Sequence, residues 1–101
     1  WSGVTTIELA KAVKWSIDNN VTGLYHITNN SSISKYDLLK LFQKYTKKDI
    51  DIKSVDGKNV DKSFIDTRLL MNYKIPSYDQ MIKNMVDLIR ENSKLYKNYK
   101  L

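Results

Sequence analysis

The segment from residue 23 to residue 55 constrains the fold most, because the spacing of its apolar residues changes twice. Leu24–Ile27 is a short aromatic and β-branched run between a glycine and a polar stretch, which favours a strand. Apolar residues then recur at helical spacing from 35 to 47, and from 50 to 55 they alternate with charged residues. Two strands joined by one helix form a crossover unit whose strands lie parallel. We therefore expect an α/β fold with two short parallel strands, at about 23–28 and 50–55.

Helix starts are marked by polar residues that can cap a first turn. In a capping box, a Ser or Thr accepts from an unpaired amide and the side chain three positions later reaches back. The pattern occurs at Thr5 with Glu8, Ser34 with Asp37 and Ser77 with Gln80. We expect helices over about 6–19, 35–47 and 78–93, and a short fourth helix over 67–72 behind Asp66. In the first helix, the apolar residues Leu9, Ala10, Val13 and Ile17 recur at helical spacing. In the second, we expect Leu38, Leu39, Phe42 and Tyr45 to face inward.

Size and composition indicate a single domain over residues 1–101. The 42% hydrophobic content can support one small core. No apolar run approaches the roughly 18 residues of a membrane helix, so we expect no membrane contact. The absence of cysteine excludes disulfides and thiolate metal sites and is typical of a cytoplasmic protein. Because the sequence begins at Trp1 rather than Met, we expect it to be a piece of a longer chain.

The charge balance is basic, with a net charge of +6 from 17 Lys and Arg against 11 Asp and Glu. Such an excess favours polyanionic partners in general. The cations, however, are spread from Lys11 to Lys100 with acids between them, and only two are arginine. A dedicated nucleic-acid binder concentrates its cations on one face. We therefore interpret the charge as a solvated surface, with a stand-alone basic module that binds nucleic acid or a protein as the alternative.

Residues that could carry chemistry are scarce. The one histidine, His26, has no acid or nucleophile spaced to partner it. The three glycines, at positions 3, 23 and 57, are too far apart to form a phosphate-binding loop. We expect no catalytic residue, no metal site and no nicotinamide site on this chain.

The order of these elements resembles the C-terminal half of extended short-chain dehydrogenases/reductases that act on nucleotide-activated sugars. Residues 8–13, Glu-Leu-Ala-Lys-Ala-Val, are similar to the family's Leu-Ala-x-Ala-[Val/Ile] helix, and residues 23–27 match its Gly-x-Tyr-[Asn/His]-[Ile/Val] strand. Residues 66–70 match an [Asp/Asn]-Thr-x-x-[Leu/Phe] pattern, followed by Pro76 and a long final helix. The opening residues 1–6 look most similar to the dTDP-4-dehydrorhamnose reductase branch.

The resemblance implies an oxidoreductase of polysaccharide biosynthesis that reduces a nucleotide-activated 4-keto sugar with NADPH or NADH. This chain would be its substrate-binding lobe, and the cofactor domain would lie upstream of Trp1. Epimerases and dehydratases share the lobe plan, so the reaction itself stays open. The family's proton donor is a Tyr-x-x-x-Lys pair. Tyr36 with Lys40 and Tyr96 with Lys100 have that spacing, and we interpret both as coincidental because neither follows a glycine-rich loop.

The substrate site is expected in a cleft between the two domains, where two-domain enzymes commonly bind ligands. A nucleoside diphosphate requires cations and free amides, which the long loop and the first helix start can supply. The expected substrate-binding residues are Trp1, Ser2, Gly3, Thr5, Lys58, Lys62 and Arg68. Without its cofactor domain, the lobe is expected to expose apolar surface near the first helix and to self-associate through it.

Overall fold

The structure is a computed structural model that describes residues 1–68, 72–99 and 101. Three helices account for its regular structure: α1 (Thr6–Asp18), α2 (Lys35–Thr46) and α3 (Tyr78–Glu91). They begin where the capping residues predict. Helices α2 and α3 pack against each other. None of the described helices is long and apolar enough to cross a membrane.

Each helix is capped by the predicted hydroxyl, but the reciprocal half of each capping box is missing. The Thr5, Ser34 and Ser77 side chains accept from the amides of Glu8, Asp37 and Gln80 at 3.4, 3.0 and 3.3 Å. The partner side chains make other bonds: Glu8 with Tyr73, Asp37 with the Ser34 hydroxyl, and Gln80 with Asn84. Lys47 caps the C-terminal end of α2. Its backbone is left-handed (φ 57°), and its amide donates to the Gln43 carbonyl oxygen.

The predicted α/β fold with two parallel strands is wrong: over the described residues the chain contains helices and no strand. The first segment, 23–28, lies beside residues 64–65. Side chains make its contacts there, with Thr28 Oγ1 donating to the Phe64 carbonyl oxygen at 3.5 Å and His26 Nδ1 lying 3.4 Å from the Ile65 carbonyl oxygen. A strand needs backbone partners on a neighbouring strand, and this segment has none in the described part of the chain.

The second predicted strand, 50–55, fails for a related reason. Its alternating pattern requires a sheet face that covers the apolar side chains, yet Val55 is 84% exposed. Its described contact with regular structure runs from Gln43 Nε2 to the Ile50 carbonyl oxygen, at 2.5 Å. The short fourth helix predicted over 67–72 is absent at Thr67, Arg68 and Asn72, and residues 69–71 lie outside the described residues.

The core is small and belongs mostly to α3. Of the described residues, four apolar side chains are buried: Ala12, Met81, Ile82 and Val86. The apolar residues at helical spacing in α1 stay outside this core, because Leu9, Val13 and Ile17 are 43%, 50% and 71% exposed. Helix α1 instead buries Glu8 and Ala12. The inward face predicted for α2 is half-buried at Leu38, Phe42 and Tyr45, but the prediction is wrong for Leu39, which is 43% exposed.

Candidate functional site

A groove of about 350 Å³ lies where three segments meet, and we call it the N-terminal groove. Its walls come from residues 2–4, which we call the N-terminal turn, from residues 25–28 and from the loop residue Phe64. Its polar lining comes from Ser2, His26 and Thr28, and its apolar lining includes Val4, Leu9 and Tyr25. Two predicted substrate-binding residues, Ser2 and Gly3, therefore lie in one concave surface.

Ser2 connects the groove to the long loop. The residue is buried, and its hydroxyl accepts a 2.7 Å hydrogen bond from the Phe64 amide. The Phe64 ring in turn packs edge-on against the His26 imidazole, with 4.9 Å between ring centroids. The loop around residue 64 is thus tied to the N-terminal turn, across 62 positions of sequence.

His26 lies beside the groove with one ring nitrogen bonded to the backbone. Its Nδ1 lies 3.4 Å from the Ile65 carbonyl oxygen. A carbonyl oxygen only accepts, so Nδ1 is the donor in this contact. The sequence predicts no catalytic role for His26 because no acid or nucleophile is spaced to partner it. Its neighbours instead come from the loop at 64–66, about 40 residues away, which local spacing does not reveal.

Arg68 lines a smaller cavity of about 140 Å³ that shares His26 with the N-terminal groove. The guanidinium carbon lies 6.0 Å from the centroid of the Tyr25 ring, within cation–π range. Within the described residues, no carboxylate lies within ion-pair distance of the Arg68 guanidinium. Asp66 also lines the cavity, and its Oδ1 accepts from the Arg68 amide at 3.3 Å. The cavity therefore offers a cation, an imidazole and a carboxylate together.

Trp1 and Thr5 line a separate cavity of about 170 Å³, which shares Gly3 and Val4 with the N-terminal groove. The Trp1 ring folds over Gly3, where an added Cβ would be 2.5 Å from Trp1 Cζ2, and its centroid is 6.4 Å from that of Tyr78. The Trp1 carbonyl oxygen accepts from the Ile33 amide at 2.8 Å, which holds the ring on the α3 side. Thr5 uses its hydroxyl to cap α1.

Lys58 and Lys62, the two lysines predicted to line the cleft, are exposed residues of the long loop. Neither makes an ion pair with a described carboxylate. Between them, Asp61 accepts from the hydroxyl and the amide of Ser63, and these two bonds hold the pKa of its carboxyl below the usual range. The structure thus groups Ser2, Gly3 and Arg68 around His26, and leaves both lysines outside that group.

The tyrosine–lysine pairs with reductase spacing have local partners. Lys40 Nζ lies 5.8 Å from the centroid of the exposed Tyr36 ring and donates to Gln43 Oε1 at 3.2 Å. Tyr96 packs edge-on against Tyr99, and its spaced partner Lys100 lies outside the described residues. Among the described residues, no group of three His, Asp or Glu side chains could hold a metal ion.

Comparisons with known protein families, with curated proteins and with solved structures find no match to this chain. Function is therefore argued from the groove, its charges and the surfaces around it.

Proposed function

We propose that this chain is the substrate-binding lobe of an NAD(P)H-dependent reductase of nucleotide-activated 4-keto sugars, similar to dTDP-4-dehydrorhamnose reductase. The observation that carries the proposal is an exposed apolar face of α1 that adjoins the N-terminal groove through Leu9. A lobe that closes on a second domain requires such a face beside its ligand groove.

The α1 face is uncharged along its whole length. Residues at helical spacing share one side of a helix. On this side lie Thr6, Leu9, Ala10, Val13, Ser16 and Ile17. The charged residues of the helix lie off it, with Lys14 paired to Asp18 at 2.6 Å. Small residues beside Leu9, Val13 and Ile17 would let another helix or sheet approach closely.

The total surface also supports the proposal of a partner domain. The chain exposes 8010 Å², whereas a folded monomer of this size exposes about 5,900 Å². The excess of about 2,100 Å² is larger than the roughly 800 Å² that each partner gives to a standard interface. The Cα radius of gyration is 15.7 Å, against about 13 Å for a compact domain of 100 residues, and the molecule is a plate 18 Å thick.

The groove and the Arg68 cavity fit parts of a nucleotide sugar. The Arg68 guanidinium can donate hydrogen bonds to phosphate oxygens, since an arginine fork pairs well with phosphate. Asp66 can accept hydrogen bonds from sugar hydroxyls, and the His26 ring offers a further polar group beside them. Tyr25 and Phe64 provide ring surfaces beside both. In the reaction, these residues would bind and orient the sugar.

The described residues do not fit the nicotinamide cofactor. Gly3 packs under the Trp1 ring, and Gly57 lies in an open loop with no atom within 4 Å of an added Cβ. Neither position makes the tight strand-to-helix turn that holds a dinucleotide pyrophosphate. We assign cofactor binding, the hydride and the proton donor to the other domain, and we expect the isolated chain to be inactive.

Calorimetric titration with dTDP tests the proposal on the purified chain. We expect saturable binding that Arg68→Ala weakens about tenfold, the usual cost of losing one charged contact. Lys11→Ala removes an equal charge from α1 and should leave the affinity unchanged. No heat of binding, or equal losses in both variants, would contradict the proposal. Sequence-selective RNA or DNA binding at physiological salt would instead support a basic interaction module.

A further inference from the structure

A second concave surface lies beside the C-terminal half of α2, and we call it the α2 trough. Its main part has a volume of about 540 Å³ and runs between α2 and residues 48–53. The floor is apolar, with Leu39 and Phe42 from α2 and Ile50 and Ile52 from the following segment. None of these residues lines the N-terminal groove.

The trough continues toward the end of α3. Leu101 lines the main part and also a neighbouring groove of about 360 Å³ that contains Arg90, Tyr96 and Lys97. Tyr96 and Tyr99 pack edge-on in this extension, with 5.8 Å between their centroids. The two cavities therefore meet at Leu101, and together they offer apolar and aromatic side chains to a bound peptide.

The rim of the trough has an excess of positive charge. Lys53 is balanced by Asp51 at 3.1 Å. Lys48 and Lys97 make no ion pair with a described carboxylate, and Arg90 Nη2 donates at 2.7 Å to the carbonyl oxygen of Tyr45, which is uncharged. Three cations thus surround an apolar floor without a compensating acid in the described part of the chain.

The backbone beside the trough also offers hydrogen-bonding groups to a bound peptide. Within the described residues, the segment 48–60 makes no backbone–backbone hydrogen bond. Exposed amides and carbonyls of such a segment can pair with the main chain of a bound peptide, while its side chains enter apolar pockets.

We propose that the α2 trough docks an acidic peptide segment of a partner protein, in which apolar residues alternate with Glu or Asp. The apolar side chains lie on Leu39, Phe42 and Ile52. The carboxylates pair with Lys48, Arg90 and Lys97, so that charge complementarity selects an acidic partner and sets its orientation. This interaction is separate from the proposed nucleotide-sugar site.

The test is fluorescence anisotropy with a fluorescein-labelled peptide in which Leu and Phe alternate with Glu. A second peptide carries Lys in place of every Glu. We expect the acidic peptide to bind in a salt-dependent manner and the basic one not to bind. Lys48→Glu combined with Lys97→Glu should weaken binding about tenfold or more.

Lys11→Glu combined with Lys74→Glu is the matched control, because it changes the net charge equally on exposed positions outside the trough. Equal losses in both double variants would show attraction to net charge alone and would overturn the proposal. Ile52→Asp should also weaken binding, since the floor must be apolar. Binding of phosphatidylserine vesicles that is lost in the trough variant, without peptide binding, would overturn it in favour of a lipid surface.

Discussion

Tyr73 donates a 2.7 Å hydrogen bond to the Glu8 carboxylate, which is buried in α1 at 3% exposure. The same Tyr73 ring packs against Trp15, with 5.7 Å between centroids. The bond joins residues 65 positions apart and ties the segment before α3 to the first helix. A buried carboxylate is costly without a partner, so this bond explains how α1 can turn Glu8 inward and Leu9 outward.

The Glu8–Tyr73 bond predicts a pH dependence of stability. Burial, with a further contribution from the bond to Glu8, raises the pKa of Tyr73 from 10.0 to about 12. A pKa that is raised on folding contributes stability that is present below the unfolded value and lost as pH rises through the folded one. We therefore expect the free energy of unfolding to fall between pH 10 and pH 12.

Urea unfolding measured across this range checks the prediction. Tyr73→Phe should be less stable than the parent at pH 8 and should lose part of the decrease above pH 10. Tyr78, whose pKa is also raised by burial, is present in both proteins and should contribute to the decrease in stability that remains in the variant. Identical pH profiles for parent and variant would mean that Tyr73 is not held as described.

The cap of α2 predicts a local stability effect. Ser34 Oγ accepts from the Asp37 amide at 3.0 Å and donates to Asp37 Oδ2 at 2.6 Å. Ser34→Ala should lower the free energy of unfolding by about 0.5–2 kcal/mol. Ser32→Ala, an exposed serine outside the helix, is the control and should have no effect. An unchanged denaturant midpoint for Ser34→Ala would place the helix start elsewhere.

Because the core is small and lies mostly on α3, the stability of the protein should depend strongly on the buried side chains of α3. Met81 is among the largest fully buried side chains. Met81→Ala should cost about 2–5 kcal/mol through lost burial and the cavity left behind. Leu95→Ala, at a side chain that is 81% exposed, should be nearly neutral. Thermal unfolding that ranks these two variants in the opposite order would contradict the packing described for α3.

The uncovered α1 face predicts self-association of the isolated chain. Exposed apolar surfaces of several hundred Å² tend to find a partner. We expect sedimentation velocity to show concentration-dependent association, which Val13→Lys should reduce by placing a charge in the centre of the face. Leu95→Lys introduces the same charge elsewhere and should not reduce it. A parent chain that stays monomeric at high concentration would remove the main support for a missing domain.

The starts of α1, α2 and α3 could be predicted from the sequence because their signals are local. Thr5, Ser34 and Ser77 each cap the helix they precede through a bond to the amide three residues on. The strands depend on partners far away in sequence, and apolar alternation at 50–55 cannot show whether a partner strand exists. The face of α1 depends on Tyr73, which no spacing within the helix reveals. For the same reason, the sequence does not reveal that His26 lines a cavity with Ser2 and Phe64 and a second cavity with Arg68.

The most direct test of the proposed function is the NMR signal of His26, the single histidine of the chain. Its ring lies between the N-terminal groove and the Arg68 cavity, so a ligand in either should change its environment. Titration with a dTDP-sugar should shift the His26 ring resonances saturably, and Arg68→Ala should weaken that response while Lys11→Ala preserves it. Saturable binding of the dTDP-sugar that leaves the His26 resonances unmoved, or no binding at all, would contradict the account.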